Sequence, residues 1–261
     1  MLLTLLGVEH SLLQMQTVRT DALKVDLHLH TADDPVDYIL HDATTLVDRA
    51  VAQGFDALAI TLHDRQFQDA ALTDYARERG LVLLPGIERT IGRAHVLLIN
   101  FPAAAEDVRT FSDIACLKRR CNGLVIAPHP FYPDASCLGS DLDAHAGLFD
   151  AVEWSYFWTR GVNFNARARR WARRHGKPVV GNSDLHDITQ LGRTYSWVFA
   201  ERERDAICGA IREGCVSLHT EPVPPRELAR VFGGMLWRGR KRRARRAALQ
   251  PLSDQFHLAG E

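Results

Sequence analysis

The chain has 261 residues, 46% of them hydrophobic, with 32 basic and 32 acidic side chains and a formal net charge of +0. That length carries one large domain with a real core, within the usual range of an α/β barrel, and the charge balance excludes a molecule built throughout as a polyanion binder. Five cysteines, at 116, 121, 137, 208 and 215, make an odd number with no C-x-x-C pair or zinc-finger spacing, which fits reduced thiols in a cytoplasmic protein.

Met1 to Val8 is apolar but short, with no basic residue ahead of it and no small-residue cleavage site, so no signal peptide is read. Residues 1–22 read as an extension, and no apolar stretch approaches a membrane span. Lys24–His30 reads as the first strand. Alternation puts Asp26, His28 and His30 on one face and Leu27 and Leu29 on the other. Two imidazoles about 6–7 Å apart along a strand suit one metal ion, and they equally suit two hydrogen-bonded core histidines. The stripe Leu46, Val47, Ala50, Val51 predicts a helix over Ala43–Gln53, ended by Gly54. Asp56–Thr61 reads as a buried strand ending at His63, Gln66–Arg79 as a helix stopped by Gly80, and Leu81–Gly86 as a third strand ending at Glu88. A fourth strand, Ala94–Asn100, has His95 near its beginning. A helix over Ala105–Cys121 leads to a fifth strand, Gly123–Ala127, which ends at Pro128-His129-Pro130. Phe131 to Gly147 is loop-rich with a short helix. The sixth strand, Ala151–Trp154, ends near Glu153, and a basic helix, Asn163–His175, stops at Gly176. The seventh strand, Pro178–Gly181, ends at Asn182-Ser183-Asp184-Leu185-His186. Thr194–Ala200 reads as a later strand and Arg204–Glu213 as a helix.

Short strands alternating with helices imply βα units and a mainly parallel sheet. About seven such units favour a closed barrel over an open sheet. His-Thr-Ala-Asp-Asp after the first strand, in place of G-x-G-x-x-G, argues against a dinucleotide-binding fold. In α/β barrels the active site lies where the C-terminal ends of the strands meet. His28, His30, His63, Glu88, His129, Asp184 and His186 all stand at strand ends. His95 stands at a strand's start and joins them only if a short loop after Glu88 brings it back. Imidazoles and carboxylates crowded into one pocket repel or need protons, and divalent metal ions resolve that charge problem. The mixture suits zinc, manganese or iron, with Glu88 and Asp184 each able to bridge two ions. Bridged ions about 3.5–4 Å apart clamp a phosphoryl oxygen and lower the pKa of a bridging water toward 7. Phosphoester hydrolysis fits this design; amide or lactam hydrolysis fits it less specifically.

The series V-D-L-H-L-H-T, A-I-T-L-H, P-G-I-E, A-H-V-L-L, A-P-H-P and G-N-S-D-L-H, in that order over residues 24–200, resembles the PHP (polymerase and histidinol phosphatase) superfamily. The resemblance implies a distorted (β/α)7 TIM-like barrel over residues 23–222, with a metal centre at the C-terminal ends of its strands. It also implies two or three divalent ions and hydrolysis of phosphoesters. His28, His30, Glu88 and Asp184 would surround a first ion, and Glu88, His95 and His129 a second. His63 and His186 would hold a third, with an acid from the loop after His30. The expected catalytic set is His28, His30, Glu88, Asp184 and His186. Two departures touch the third ion. The family's T-D-H motif reads Thr61-Leu62-His63-Asp64 here, and the acid often found five residues after the second histidine of H-x-H is replaced by Pro35. Asp34 is chosen in its stead, from a set that also holds Asp33 and Asp37.

Smaller signals remain. Asp26 either orients a ligand histidine or bonds backbone amides. Glu153 reads as exposed or structurally hydrogen-bonded before it reads as part of the pocket. Arg160 and Arg193 are candidates for a substrate phosphate; for them, as for Arg89, a surface or structural role is the alternative. Asp64 and His41 read as surface residues, and Cys137 as inert. Arg167, Arg169, Arg170, Arg173 and Arg174 give the 163–175 helix a basic face, solvated by default. Residues 223–261 read as a tail whose basic run, W-R-G-R-K-R-R-A-R-R-A from Trp237, suits nucleic acid, an anionic membrane or a frayed, solvated end. The expectation is a cytoplasmic metal-dependent phosphoesterase acting on a small phosphorylated substrate. The alternatives are a nuclease acting on oligonucleotides held by the basic tail, and a non-catalytic PHP-like binding module.

Overall fold

Short apolar runs become strands here because both of their faces are covered. Ala57–Ile60 and Leu124–Ala127 are buried at every position, as central strands flanked by helices and barrel core must be. The computed structural model describes residues 22–234 and Trp237. Among these, nine strands form one sheet: β1 Ala22–Leu29, β2 Ala57–Ile60, β3 Val82–Ile91, β4 Ala94–Ile99, β5 Leu124–Ala127, β6 Ala151–Ser155, β7 Val179–Asn182, β8 Thr194–Phe199 and β9 Val216–Thr220. Their order is β7-β6-β5-β4-β3-β2-β1-β8-β9. β4 and β8 run against the rest.

The sheet nearly closes into a barrel. β8 pairs with β1 only over Ala22 to Val25. Beyond that point the chain leaving β7 takes over: His30 N–H donates to Leu185 O at 3.1 Å, and Leu185 N–H donates to His28 O at 3.2 Å. Nearer the other end, Ser196 Oγ on β8 accepts from Gly181 N–H at 2.8 Å and donates to Gly181 O at 3.2 Å. Only glycine fits at that seam, because an added Cβ would lie 2.6 Å from Tyr195 O.

Six helices connect the strands among the described residues: α1 Ala43–Ala52, α2 Ala70–Glu78, α3 Phe111–Lys118, α4 Asp141–Ala144, α5 Asn165–His175 and α6 Arg204–Arg212, and a further helical segment, 225–234, follows β9. Four of them, α1, α2, α3 and α6, start on side-chain caps. Asp42 accepts from Thr45 N–H ahead of α1, and Thr110 and Asp113 form a reciprocal capping box on α3. α6 closes the barrel at the N-terminal ends of the strands. Ile207 and Ile211 join the interior cluster with Leu23, Val25 and Leu84. At its rim, Arg202 pairs with Asp56, Asp205 with Asn100, and Arg212 with Asn122, all in loops at that end. The opposite end, at the C-termini of the parallel strands, stays open for the site.

Several expectations change. The fourth strand does not follow a helix: β3 and β4 form an antiparallel hairpin through Gly92 and Arg93, with Gly92 at φ 64°. The single helix expected over 105–121 is a 3-10 turn, Ala103–Asp107, and a separate α3, because Thr110 starts a new helix. The 66–79 helix begins only at Ala70, since Asp69 caps it and Gln66 is tied to Phe101 O at 2.8 Å. β9 is an added strand. Residues 225–234, read in the sequence as the beginning of a tail, are helical and pack on the barrel, with Val231 buried and Tyr156 OH donating to Glu227. The expected extension up to Asp21 and the basic run after Trp237 lie outside the described residues. No helix among the described residues is long and apolar enough to cross a membrane.

Candidate metal centre

Strand alternation turns His28 and His30 to the inner face of β1, with ring centroids 5.2 Å apart. Their Nε2 atoms are buried and have no hydrogen-bond partner among the described residues. Each faces the same two carboxylate oxygens. His28 Nε2 lies 3.4 Å from Glu88 Oε2 and 3.3 Å from Asp184 Oδ1, and His30 Nε2 lies 3.4 and 3.6 Å from them. A tetrahedral site with metal–ligand bonds of about 2.0–2.1 Å has edges of about 3.3–3.4 Å. The four His–carboxylate distances are close to such an edge, with His28, His30 and Glu88 forming one group that could hold an ion and His30, Asp184 and His186 another.

Glu88 divides its two oxygens. Oε2 also faces His63 Nε2 at 3.2 Å, while Oε1 faces His95 Nδ1 at 2.7 Å and His129 Nε2 at 3.3 Å. A carboxylate with imidazoles grouped on each oxygen is suited to bridge two cations. The hairpin explains His95. Because β4 runs backwards, its first residues lie beside the last of β3, and His95 pairs across from Thr90. A strand start that belongs to the far end of a regular βα barrel is thereby returned to the site. His63 arrives by a bridge just past β2, where it pairs with Glu88.

The other ring nitrogens are held by acids behind them. His28 Nδ1 is 2.9 Å from Glu153 Oε1, which also accepts from Asn182 Nδ2 at 3.0 Å. Asp34, expected as a metal ligand, stands with His30 and His63 in a group that could hold an ion, and it faces the Nδ1 side of both rings. Its Oδ2 meets His30 Nδ1 at 2.9 Å and both the Nδ1 and the backbone N–H of His63 at 3.0 Å; its Oδ1 takes the backbone amides of Val36 and Asp37 at 2.8 Å. Those contacts occupy both oxygens, so Asp34 holds two imidazoles from behind. Asp37 is the acid whose Oδ2 reaches His186 Nε2, at 3.1 Å. Asp26 takes the second of its two readings: its oxygens accept from the backbone amides of His28 and Ser183, and burial pushes its carboxyl up to about 7.

Electrostatics at the centre call for positive charge. Burial opposes ionisation of Glu88, but the imidazoles of His28, His63 and His95 outweigh it and hold that carboxyl well below the usual range. Asp184 is lowered the same way by His28 and His186, against burial. Burial likewise opposes protonation of His28, yet Asp184, Glu153 and Glu88 push it up to about 10. Protons or metal ions must sit among these carboxylates. The backbone is strained at the same place. His129 and Asp184 adopt φ values of 61° and 47°, a conformation that persists only where surrounding structure enforces it.

The site opens into a cleft of about 310 Å³, walled in part by Tyr132, Phe157 and Phe232. Arg193 and Arg160 are not among its lining residues. Arg193 is neutralised by Glu221 and Glu227, at 3.2 and 2.7 Å, and Arg160 is exposed in the loop before α5. Arg89 is structural: it pairs with Asp64 at 2.5 Å and donates to Val108 O. His41, read as a surface residue, is buried with Nε2 2.9 Å from His30 O. Cys137 lies against His129, its Sγ 3.0 Å from the carbonyl oxygen.

An α/β barrel with imidazoles and carboxylates converging at the C-terminal ends of its strands is the class defined by this geometry. Residues 162–216 match the PHP-associated family model, a span that contains Asp184 and His186. The fold is shared with a two-domain protein from Bacteroides vulgatus containing a predicted PHP-like metal-dependent phosphoesterase, at 22% identity and a TM-score of 0.60, over 82% of this chain and 71% of that one. It is shared with PsfC from Pseudomonas syringae at 19% identity and a TM-score of 0.58, over 84% of this chain and 98% of that one. It is shared with the lesion-specific endonuclease PfuEndoQ from Pyrococcus furiosus at 18% identity and a TM-score of 0.53, over 76% of this chain and 57% of that one. No curated protein sequence matches this chain. The family-model match over residues 162–216 and the common fold are what the chain shares with PHP-like proteins.

Proposed function

We propose that this chain is a metal-dependent phosphoesterase. The observation that carries the proposal is the pair of buried, unpartnered Nε2 atoms on His28 and His30, set 3.3–3.6 Å from Glu88 and Asp184. His28, His30, Glu88 and Asp184 would hold a first divalent ion, and Glu88, His95 and His129 a second. His63 and His186 would hold a third, with Asp37 as its acid in place of Asp34. When bound, zinc, manganese or iron(II) would acidify a water and neutralise charge on a phosphoryl oxygen. Glu88, with imidazoles facing each of its oxygens, would be the residue shared by the first two ions. Glu153 and Asp34 fix the ring orientations from behind, and Asp184 completes the wall facing the cleft. Tyr132, Phe157 and Phe232 give the cleft an apolar side that limits bulk water around the reacting bond. Retention of every facing imidazole and carboxylate weighs against the non-catalytic module.

The test is purified protein supplied with zinc, manganese or iron(II) and assayed on a panel of phosphomonoesters and phosphodiesters. Hydrolysis that a chelator abolishes, and that Asp184→Asn lowers by two or more orders of magnitude, is expected. Tight metal binding with no hydrolysis of any member of the panel would reject the enzyme reading in favour of the binding module.

A further inference from the structure

Net charge is zero, but the charge is not evenly spread. From Trp154 to Ser183 the chain has no Asp or Glu, while Arg160, Arg167, Arg169, Arg170, Arg173, Arg174 and Lys177 all fall there. α5 carries most of these cations. Its inner face, Ala168, Trp171 and Ala172, is buried, and its arginines are exposed. Arg167, Arg170 and Arg174 recur at helical spacing and line one concavity of about 290 Å³ with Phe131, Trp171 and Asp143. Asp143, the acid there, is already occupied: its Oδ1 accepts from Trp171 Nε1 at 2.6 Å and lies 3.5 Å from His175 Nε2. The Arg167 guanidinium lies over the Phe131 ring at 4.3 Å. This concavity adjoins the metal centre along a very short piece of chain. His129 and Tyr132 line the cleft, and Phe131 between them lines the arginine face. Tyr132 also packs on the exposed Phe164 at 5.2 Å, at the start of α5.

We infer that the Arg167–Arg170–Arg174 face of α5 is a track for the phosphate backbone of single-stranded nucleic acid whose scissile ester lies in the metal-centre cleft. The inference rests on the phosphoesterase reading. Over seven residues a helix rises about 10 Å, which spans two or three phosphates at about 3.4 Å per phosphate of a stacked strand. Guanidinium groups suit phosphate oxygens, and exposed rings such as Phe164 suit unstacked bases. A membrane surface fits less well, because the apolar face of α5 is spent against the barrel and has none left to insert.

The measurement is equilibrium binding of a labelled single strand of about a dozen nucleotides to the full chain, by fluorescence anisotropy across a range of salt. Each phosphate contact to a single strand contributes about 0.7 to the slope of log K against log salt. The triple variant R167Q/R170Q/R174Q should therefore lower that slope by about 2 and weaken binding about tenfold or more at low salt. The triple Arg→Lys variant, which keeps the charge, should retain most of the slope. If the triple Gln variant fails to fold, Arg170→Gln alone should lower the slope by about 0.7. Unchanged affinity and slope in the Gln variants would overturn the inference. So would a phenotype confined to phosphatidylserine vesicles, with oligonucleotide binding intact. Binding is read without turnover, so a chain that hydrolyses no phosphoester still gives a clear answer about this face.

Discussion

At the scale of single residues the centre depends on acids that stand behind the imidazoles. A ligand histidine is useful only if its other ring nitrogen is held, and partners of that kind typically change metal affinity 10–100-fold when removed. Asp34 holds two such rings and Glu153 holds one. Asp34→Asn replaces an acceptor for two N–H groups with a mixed donor and acceptor. Its affinity for zinc or manganese should fall about 10–100-fold. Asp33→Asn should change it little, because the Asp33 carboxylate accepts from the Thr31 hydroxyl, while the Arg65 guanidinium donates to the Asp33 backbone carbonyl at the edge of the site. Competition against a chromophoric chelator measures both, and equal losses in the two variants would remove Asp34 from this role. The same assay should depend on pH. The carboxylates of Asp184, Glu153 and Glu88 push His28 up to about 10 against burial and so favour its protonated form, which an ion would have to displace. Affinity should rise with pH, and protons should be released on binding. The sequence marks an acid in this loop but not the direction of its carboxylate. Pro35 occupies the usual position, and in the loop around it Asp34 faces His30 while Asp37 faces His186.

At the scale of elements, alternation and strand-end placement pick out most of the side chains that converge in the structure, because both are local properties. His28, His30, Glu88 and His129 stand where apolar strand runs stop, and a strand end is visible without knowing its neighbour. What periodicity does not carry is direction. β4 has the same apolar look whether it follows a helix or a hairpin, and only Gly92-Arg93 between two apolar runs signals the turn. Missing that turn leaves His95 at the wrong end. The closing seam is equally invisible, since it depends on Gly181 and Ser196 meeting across the barrel. It is also testable. Gly181→Ala would drive a methyl group against Tyr195 backbone and Leu218, and overpacking of that kind costs about 1–3 kcal/mol. Gly209→Ala, in α6 with open space around it, should stabilise by about 0.5–1 kcal/mol. Thermal unfolding should shift in opposite directions, by about 2–4 °C per kcal/mol for a chain of this size. A tolerated Gly181→Ala would mean that the seam is not tightly closed.

At the scale of the whole molecule, the proposed ligands draw together segments that are far apart in sequence. His28, His63, Glu88, His95, His129 and Asp184 come from β1, from the segment just past β2, from β3 and β4, and from the chain following β5 and β7. An ion bound there would connect most of the barrel wall, while α6 plugs the other end. Its binding energy should therefore appear in the global unfolding transition rather than in one loop. A ligand present at about 100 times its dissociation constant stabilises the folded state by about 2.7 kcal/mol, which for a domain of this size is about 5–10 °C in Tm. Zinc or manganese added to the chelator-treated chain should raise Tm by that amount in a single transition. The gain should shrink in Asp34→Asn, which keeps the proposed ligands but loosens two rings, and it should nearly vanish in Asp184→Asn, which removes the charge facing both His28 and His30. An ion effect confined to a minor early transition would show that the centre is a local clasp. A Tm indifferent to saturating zinc, manganese and iron(II) alike would show that the convergent imidazoles hold protons rather than metal, and the hydrolytic reading would fall with them.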